Sequence, residues 1–170
     1  KISSVIPHSR IPKEVLDTEI ERVRKVIPHV HLQQAIQKDE FEQIHEDYDA
    51  VVVAVGAQQP RTLPIAGKER LITALDILRD AKAGKAHVGR RVVIIGAGNV
   101  GCDVATEAHR LGAENIVLID IQKPAAFGKE REDAEAVGAE FRWPCFTEAV
   151  TGDGVLLKGG ETIPADTVFV

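Results

Sequence analysis

The sequence predicts an α/β fold, a parallel β-sheet with helices on both faces and a β-meander. Three observations carry that expectation. Residues 92–95 and 116–119 are short apolar runs separated by an amphipathic helical stretch, the pattern of buried parallel strands joined by a crossover helix. Residues 48–55 form a third run, nearly continuous in Ala and Val and stopped by Gly56. From 141 onward, short apolar segments are separated by the turn sequences Gly152-Asp153-Gly154 and Gly159-Gly160, which suits a meander.

Taken in order, residues 1–11 mix Ser, Pro, His and Ile without periodicity and form an irregular opening segment. Pro12 stands where a helix starts, and Val15, Leu16, Ile20, Val23 and Ile27 recur at helical spacing until Pro28 ends the run. Residues 29–36, with Val30 and Leu32, alternate as a strand does, and a charged turn or helix follows through Glu46. The run at 48–55 reads as a strand buried on both faces. Pro60, Pro64 and Gly67 mark residues 57–68 as a crossover between two domains. Residues 73–83 form an amphipathic helix with Leu75, Ile77 and Leu78 on its apolar side, and 84–90 turn into the strand at 92–95.

That strand runs directly into Gly96-Ala97-Gly98-Asn99-Val100-Gly101, a G-x-G-x-x-G sequence opening a helix. Val100, Val104, Ala105, Ala108 and Leu111 fall on the helix's inner side, and Gly112 stops it. The next strand ends at Asp120, 24 positions after Gly96. Each part has a physical role in a Rossmann-like βαβ unit. Gly96 permits the tight turn, Gly98 lets the backbone approach a pyrophosphate, and Gly101 lets the helix pack close to the strand. The helix N-terminus offers free N–H groups and a positive dipole end to phosphate. Asp120 is placed to accept hydrogen bonds from the adenosine ribose hydroxyls. An S-adenosylmethionine site uses similar parts, but the regular spacing into the helix favours a dinucleotide.

Composition narrows the classes further. A net charge of −5 gives no electrostatic reason to expect nucleic acid or an anionic membrane as partner. No apolar run approaches the roughly 20 residues that span a bilayer, and no signal peptide is apparent, so a cytoplasmic location is expected. Cys102 and Cys145 lie far apart and suggest neither a disulfide framework nor a zinc cluster. Cys102 is read as a packing residue. His29 and His31 share a strand face but lack a third ligand, so no metal site is expected. Lys129–Glu135 reads as a solvated helix with Arg131 and Glu135 one turn apart. The absence of methionine and the start at Lys1 suggest a piece of a longer polypeptide.

Several stretches resemble the small (beta) subunit of glutamate synthase and its relatives, which are FAD-containing, pyridine-nucleotide-oxidising proteins built like the disulfide reductases. They are Tyr48-Asp49-Ala50-Val51-Val52-Val53-Ala54-Val55-Gly56-Ala57 with Pro60-Arg61, Gly98-Asn99-Val100-Gly101-Cys102-Asp103, and Arg10-Ile11-Pro12-Lys13-Glu14-Val15-Leu16. The resemblance implies a partial FAD-domain segment at 1–57 and an NAD(P)-binding Rossmann domain at 58–170. The family's earlier G-x-G-x-x-G for FAD and its later Gly-Asp motif are absent from these residues. FAD is therefore expected on the parent chain and not on this one, which alone would be colourless and inactive. Asp103 matches a position that lies near the nicotinamide or the flavin edge, and no catalytic residue is nominated. Where relatives carry arginines for a 2′-phosphate, this chain has Asp120-Ile121-Gln122-Lys123, so NADH is favoured over NADPH, with Lys123 in reach of a phosphate. Implied partners are the FAD-binding remainder of the parent and an iron–sulfur domain or partner subunit. A module that senses nucleotide redox state without chemistry is the alternative. The apolar run at 48–55 is expected to be covered by residues 12–36 or by a second copy in a homodimer.

Overall fold

The computed structural model describes residues 3–7, 10–27, 29–57, 59–60 and 62–170. Contacts divide the chain into a smaller unit, Pro12–Gln59, and a larger one made of Lys1–Ile11 with Pro60–Val170.

The smaller unit holds α1 (Lys13–Val26) and α2 (Lys38–Asp47). Pro12 caps α1 and accepts the first helical bond from the Leu16 N–H, while exposed i,i+3 and i,i+4 pairs such as Arg22–Glu19 line its surface. The expected stop at Pro28 lies outside the described residues, and α1 closes at Ile27 with an N–H bond to Val23. Neither helix has a buried residue.

Two expectations fail in this unit. Residues 29–36 form no strand, because Gln33 adopts φ 58°, a left-handed conformation that breaks an extended path. Residues 48–55 belong to neither sheet and are not buried; Val52 is 88% exposed and Val53 64%. Residues 12–36 do not cover that run. Apolar composition gives a segment a reason to be buried, but a strand also needs a neighbouring chain to complete its ladder.

The larger unit has β1 (Leu71–Ile72), α3 (Ala74–Lys82), β2 (Arg91–Ile95), α4 (Asn99–Arg110), β3 (Asn115–Ile119), α5 (Gly128–Ala136) and β4 (Glu140–Arg142). These are followed by β5 (Thr147–Val150), β6 (Gly154–Leu157), β7 (Thr162–Pro164) and β8 (Thr167–Phe169). The parallel sheet has the order β1-β8-β2-β3-β4, with Val93 opposite both Val117 and Val168. A separate antiparallel sheet has the order β5-β6-β7.

Strand alternation sorts the side chains onto two faces. Val92, Ile94, Ile116, Leu118 and Phe169 pack with α3, α4 and α5. Val93, Ile119 and Val168 pack with Val150, Val155, Leu157 and Ile163 of the antiparallel sheet. The α/β class with parallel sheet and meander is therefore observed, with a difference in its layers. The three helices share one face, and the meander takes the face where further helices were expected. The meander is also shorter than expected, since β4 and β8 leave it to join the parallel sheet. Asp166 fixes the start of β8 to β2, accepting from the Arg91 N–H at 2.9 Å and from its guanidinium Nε at 3.1 Å.

The opening segment is tied to the larger unit. Val5 is buried in the helical-side core, and the Lys82 ammonium donates to the Ile6 carbonyl at 2.6 Å.

Candidate functional site

The site is built where β2 meets α4. Gly96 takes φ 117°, which an L side chain rarely adopts, and its N–H extends the ladder to the Ile119 carbonyl at 2.8 Å. A Cβ on Gly101 would lie 2.1 Å from the Gly96 carbonyl oxygen, so only glycine lets α4 sit this close to the strand end. Gly98 differs. It is the N-cap, has an ordinary φ of −89°, and a Cβ there would meet nothing within 4 Å. No protein atom demands glycine at 98; the space in front of it lies open.

The first helical N–H to bond back is that of Cys102, to the Gly98 carbonyl at 3.1 Å. The amides of residues 98–101 thus precede the helical ladder and form the positive end of α4. A pyrophosphate suits this end on three counts: unpaired donors, a dipole of the right sign, and no side chain at 98 to block approach.

Ala97 is fully buried, and the surrounding loops hold it. Its N–H donates to Asp120 Oδ2 at 2.9 Å, and its carbonyl accepts from the Ala126 N–H at 3.2 Å. The Asn99 side chain accepts from the Phe127 N–H at 3.0 Å. Asn99 and Asp120 therefore brace the loop. Asp120 Oδ1 accepts only a longer bond from Gln122 N–H, 3.3 Å, which leaves acceptor capacity for ribose hydroxyls. Val100 is 54% exposed, not on the inner side of α4 as its spacing suggested; Gly101, Cys102, Val104, Ala105 and Ala108 form that side.

Asp103 lies one turn into α4. Its carboxylate is 3.3 Å from the Arg10 guanidinium, which also grips Glu130 of α5 at 2.5 Å. Burial raises the Asp103 carboxyl above its ordinary range, with Arg10 acting against that rise. The Arg10 hydrogen bond holds Glu130 below its range. Sequence reading missed Arg10, Glu130, Ala126 and Phe127. Their partners stand 28 to 120 positions away, and no local spacing marks them.

Beside the loop, at the C-terminal ends of β2, β3 and β8, lies a cleft of about 430 Å³. Ile95, Ile119, Phe146 and Val170 give it apolar walls, with Gly96 and Asp120 at its rim. Open α/β sheets bind ligands at the carboxyl ends of their strands. Cys102 is fully buried, and its thiol is pushed up to about 11 by that burial, so it is a packing residue. Exposed His29 and His31 join no metal-binding group, and none exists among the described residues. No helix among them is long and apolar enough to cross a membrane. Arg131 and Glu135 pair at 2.7 Å as expected, while Ala134 of the same helix is buried. Arg61 lies outside the described residues.

Parallel sheet, glycine turn, open helix end and acid-tipped neighbouring strand define an α/β domain of the dinucleotide-binding type. Residues 3–170 match the pyridine nucleotide-disulphide oxidoreductase family, and the chain belongs to it. It is 29% identical over 168 residues to the NADP(+)-dependent formate dehydrogenase subunit beta of Moorella thermoacetica, covering 93% of this chain and 24% of that protein. It is also 29% identical over 176 residues to the NAD-dependent dihydropyrimidine dehydrogenase subunit PreT of Escherichia coli O157:H7, covering 97% and 43%. The chain thus spans less than half the length of these relatives. Among solved structures, a 2-naphthoyl-CoA reductase complex matches with TM-score 0.73 and 22% identity over 99% of this chain and 26% of that one. Thioredoxin reductase of T. acidophilum matches with TM-score 0.51 and 21% identity over 64% and 39%. These two likenesses concern the fold.

Proposed function

We propose that the chain is the pyridine-nucleotide-binding part of a flavoprotein oxidoreductase similar to the glutamate synthase small subunit. The observation that carries this reading is the open space before Gly98, set against unpaired amides at the start of α4. The backbone at 98–101 binds the pyrophosphate and Asp120 receives the adenosine ribose, which orients the far end of the ligand along the strand ends. A nicotinamide held in this way would supply hydride to FAD, which the remainder of the parent chain would carry. The residues here contribute binding and position, with no acid–base group. Residues 1–57 are a segment of the FAD domain, and 58–170 are the nucleotide domain. An iron–sulfur domain or a partner subunit would be the electron acceptor. Several relatives are themselves named as subunits.

Asp120 favours NADH, because its carboxylate binds ribose hydroxyls and repels a 2′-phosphate. The expected difference is on the order of 1–3 kcal/mol. Calorimetric titration of the chain with each nucleotide tests both points. Binding that Gly98→Val abolishes supports the site, and equal or tighter binding of NADPH overturns the preference.

A further inference from the structure

The cleft beside the glycine loop holds two charged side chains on separate elements. Asp120 follows β3 directly, and Lys158 follows β6 in the turn to β7. No ion pair joins them, and Lys158 has no salt bridge among the described residues. Its neighbours are already matched. Glu161 pairs with Arg142 at 3.0 Å, and Arg142 also holds Glu140 at 2.7 Å. Asp120 likewise accepts only from backbone N–H groups, those of Ala97 and Gln122. The backbone of Lys158 is fixed by its N–H bond to the Phe146 carbonyl at 2.8 Å, and Phe146 lines the same cleft. The result is a cation and an anion, neither with an ionic partner among the described residues, lining one cleft with apolar walls beside the glycine loop.

We propose that Lys158 is a second specificity-determining residue for the adenosine end of the ligand. It offers a cation to a 2′-phosphate while Asp120 offers an acceptor to a free 2′-hydroxyl. Resting on the dinucleotide reading above, this narrows the preference for NADH that Asp120 sets without reversing it. An ammonium on a flexible stem suits that task, since it reaches a phosphate as a point charge without requiring the forked geometry of arginine. Lys123, the cation suggested by sequence position, is not among the residues lining the cleft.

The test uses two probes that lack nicotinamide, adenosine 2′,5′-bisphosphate and adenosine 5′-monophosphate, titrated into the chain and into Lys158→Gln, Lys158→Glu and Lys123→Gln. Lys158→Gln should weaken the bisphosphate about tenfold and leave the monophosphate within about twofold, which also shows that the fold is intact. Lys158→Glu should weaken the bisphosphate further, and added salt should shrink the wild-type dependence on the 2′-phosphate. Equal loss of both probes in Lys158→Gln, no loss of either, or a loss seen only in Lys123→Gln overturns the assignment while leaving the site itself standing. If neither probe binds the unmodified chain, the dinucleotide reading falls as well.

Discussion

At the scale of single residues, the two glycines Gly98 and Gly101 have separable tasks. Gly101 is glycine because the Gly96 carbonyl occupies the place of its Cβ, so Gly101→Ala should force α4 off the strand end and cost about 1–3 kcal/mol of stability in urea denaturation. Gly98→Ala meets no protein atom, and its φ is ordinary; its stability should stay within about 1 kcal/mol, the effect of a poorer N-cap, while nucleotide affinity falls. Equal destabilisation by both substitutions would contradict this division. Asp120 also has two tasks. Removing its carboxylate leaves the buried Ala97 N–H without an acceptor, so Asp120→Ala should cost about 1–3 kcal/mol beyond any effect on binding. Asp120→Asn retains an acceptor and loses the charge. It should keep stability but narrow the gap between NADH and NADPH, and paired denaturation and calorimetry separate the two effects.

At the scale of elements, α4 approaches the sheet closely because Gly101, Cys102, Ala105 and Ala108 are small, which places its N-terminus at the ends of β2 and β3. The other end of the sheet is held by Asp166, whose carboxyl is lowered to about 2 by the Arg91 guanidinium and by backbone N–H bonds. A carboxyl lowered by folding contributes stability above its ordinary value of 3.8, and that contribution is lost as pH falls toward about 2. Denaturation midpoints measured from pH 5 to pH 2 should therefore fall less steeply for Asp166→Asn than for the unmodified chain. Parallel acid limbs would remove Asp166 from this role. Asp103 has the opposite sign: its carboxyl is raised by burial, so its contribution declines as pH rises through the folded value.

At the scale of the whole molecule, cohesion is uneven. The unit formed by 1–11 and 60–170 contains both buried clusters, whereas α1 and α2 bury no residue. Opening free energy follows local burial, so amide hydrogens of 13–26 and 38–47 should exchange faster than those of α4, by a factor of about a hundred or more. Exchange of α1 as slow as α4 would show that unit 12–59 has cover of its own. The exposed valines at 52 and 53 carry a related expectation, that of self-association through this run. Sedimentation over a concentration series checks it, and a Val52→Lys, Val53→Lys variant should remain monomeric where the unmodified chain does not.

Local pattern alone determined the βαβ unit, because each of its signals is short-range. An apolar run demands burial, helical spacing in 99–111 demands one inner face, and Gly96, Gly98 and Gly101 stand within six residues of each other. The helix beginning at Lys13 and the acid at the end of β3 were legible for the same reason. Tertiary structure decided the rest. Alternation cannot say which sheet a strand joins, so β4 and β8 entered the parallel sheet and the meander covered the face where helices were expected. Nor does an apolar run supply its own ladder, and residues 48–55 remained outside both sheets. The grip of Arg10 on Asp103 and Glu130, and the convergence of Asp120 and Lys158 on one cleft, join residues 38 to 120 positions apart. Such pairs follow from how the layers stack, since contacts between distant segments exist only once the core has fixed the elements that bear them.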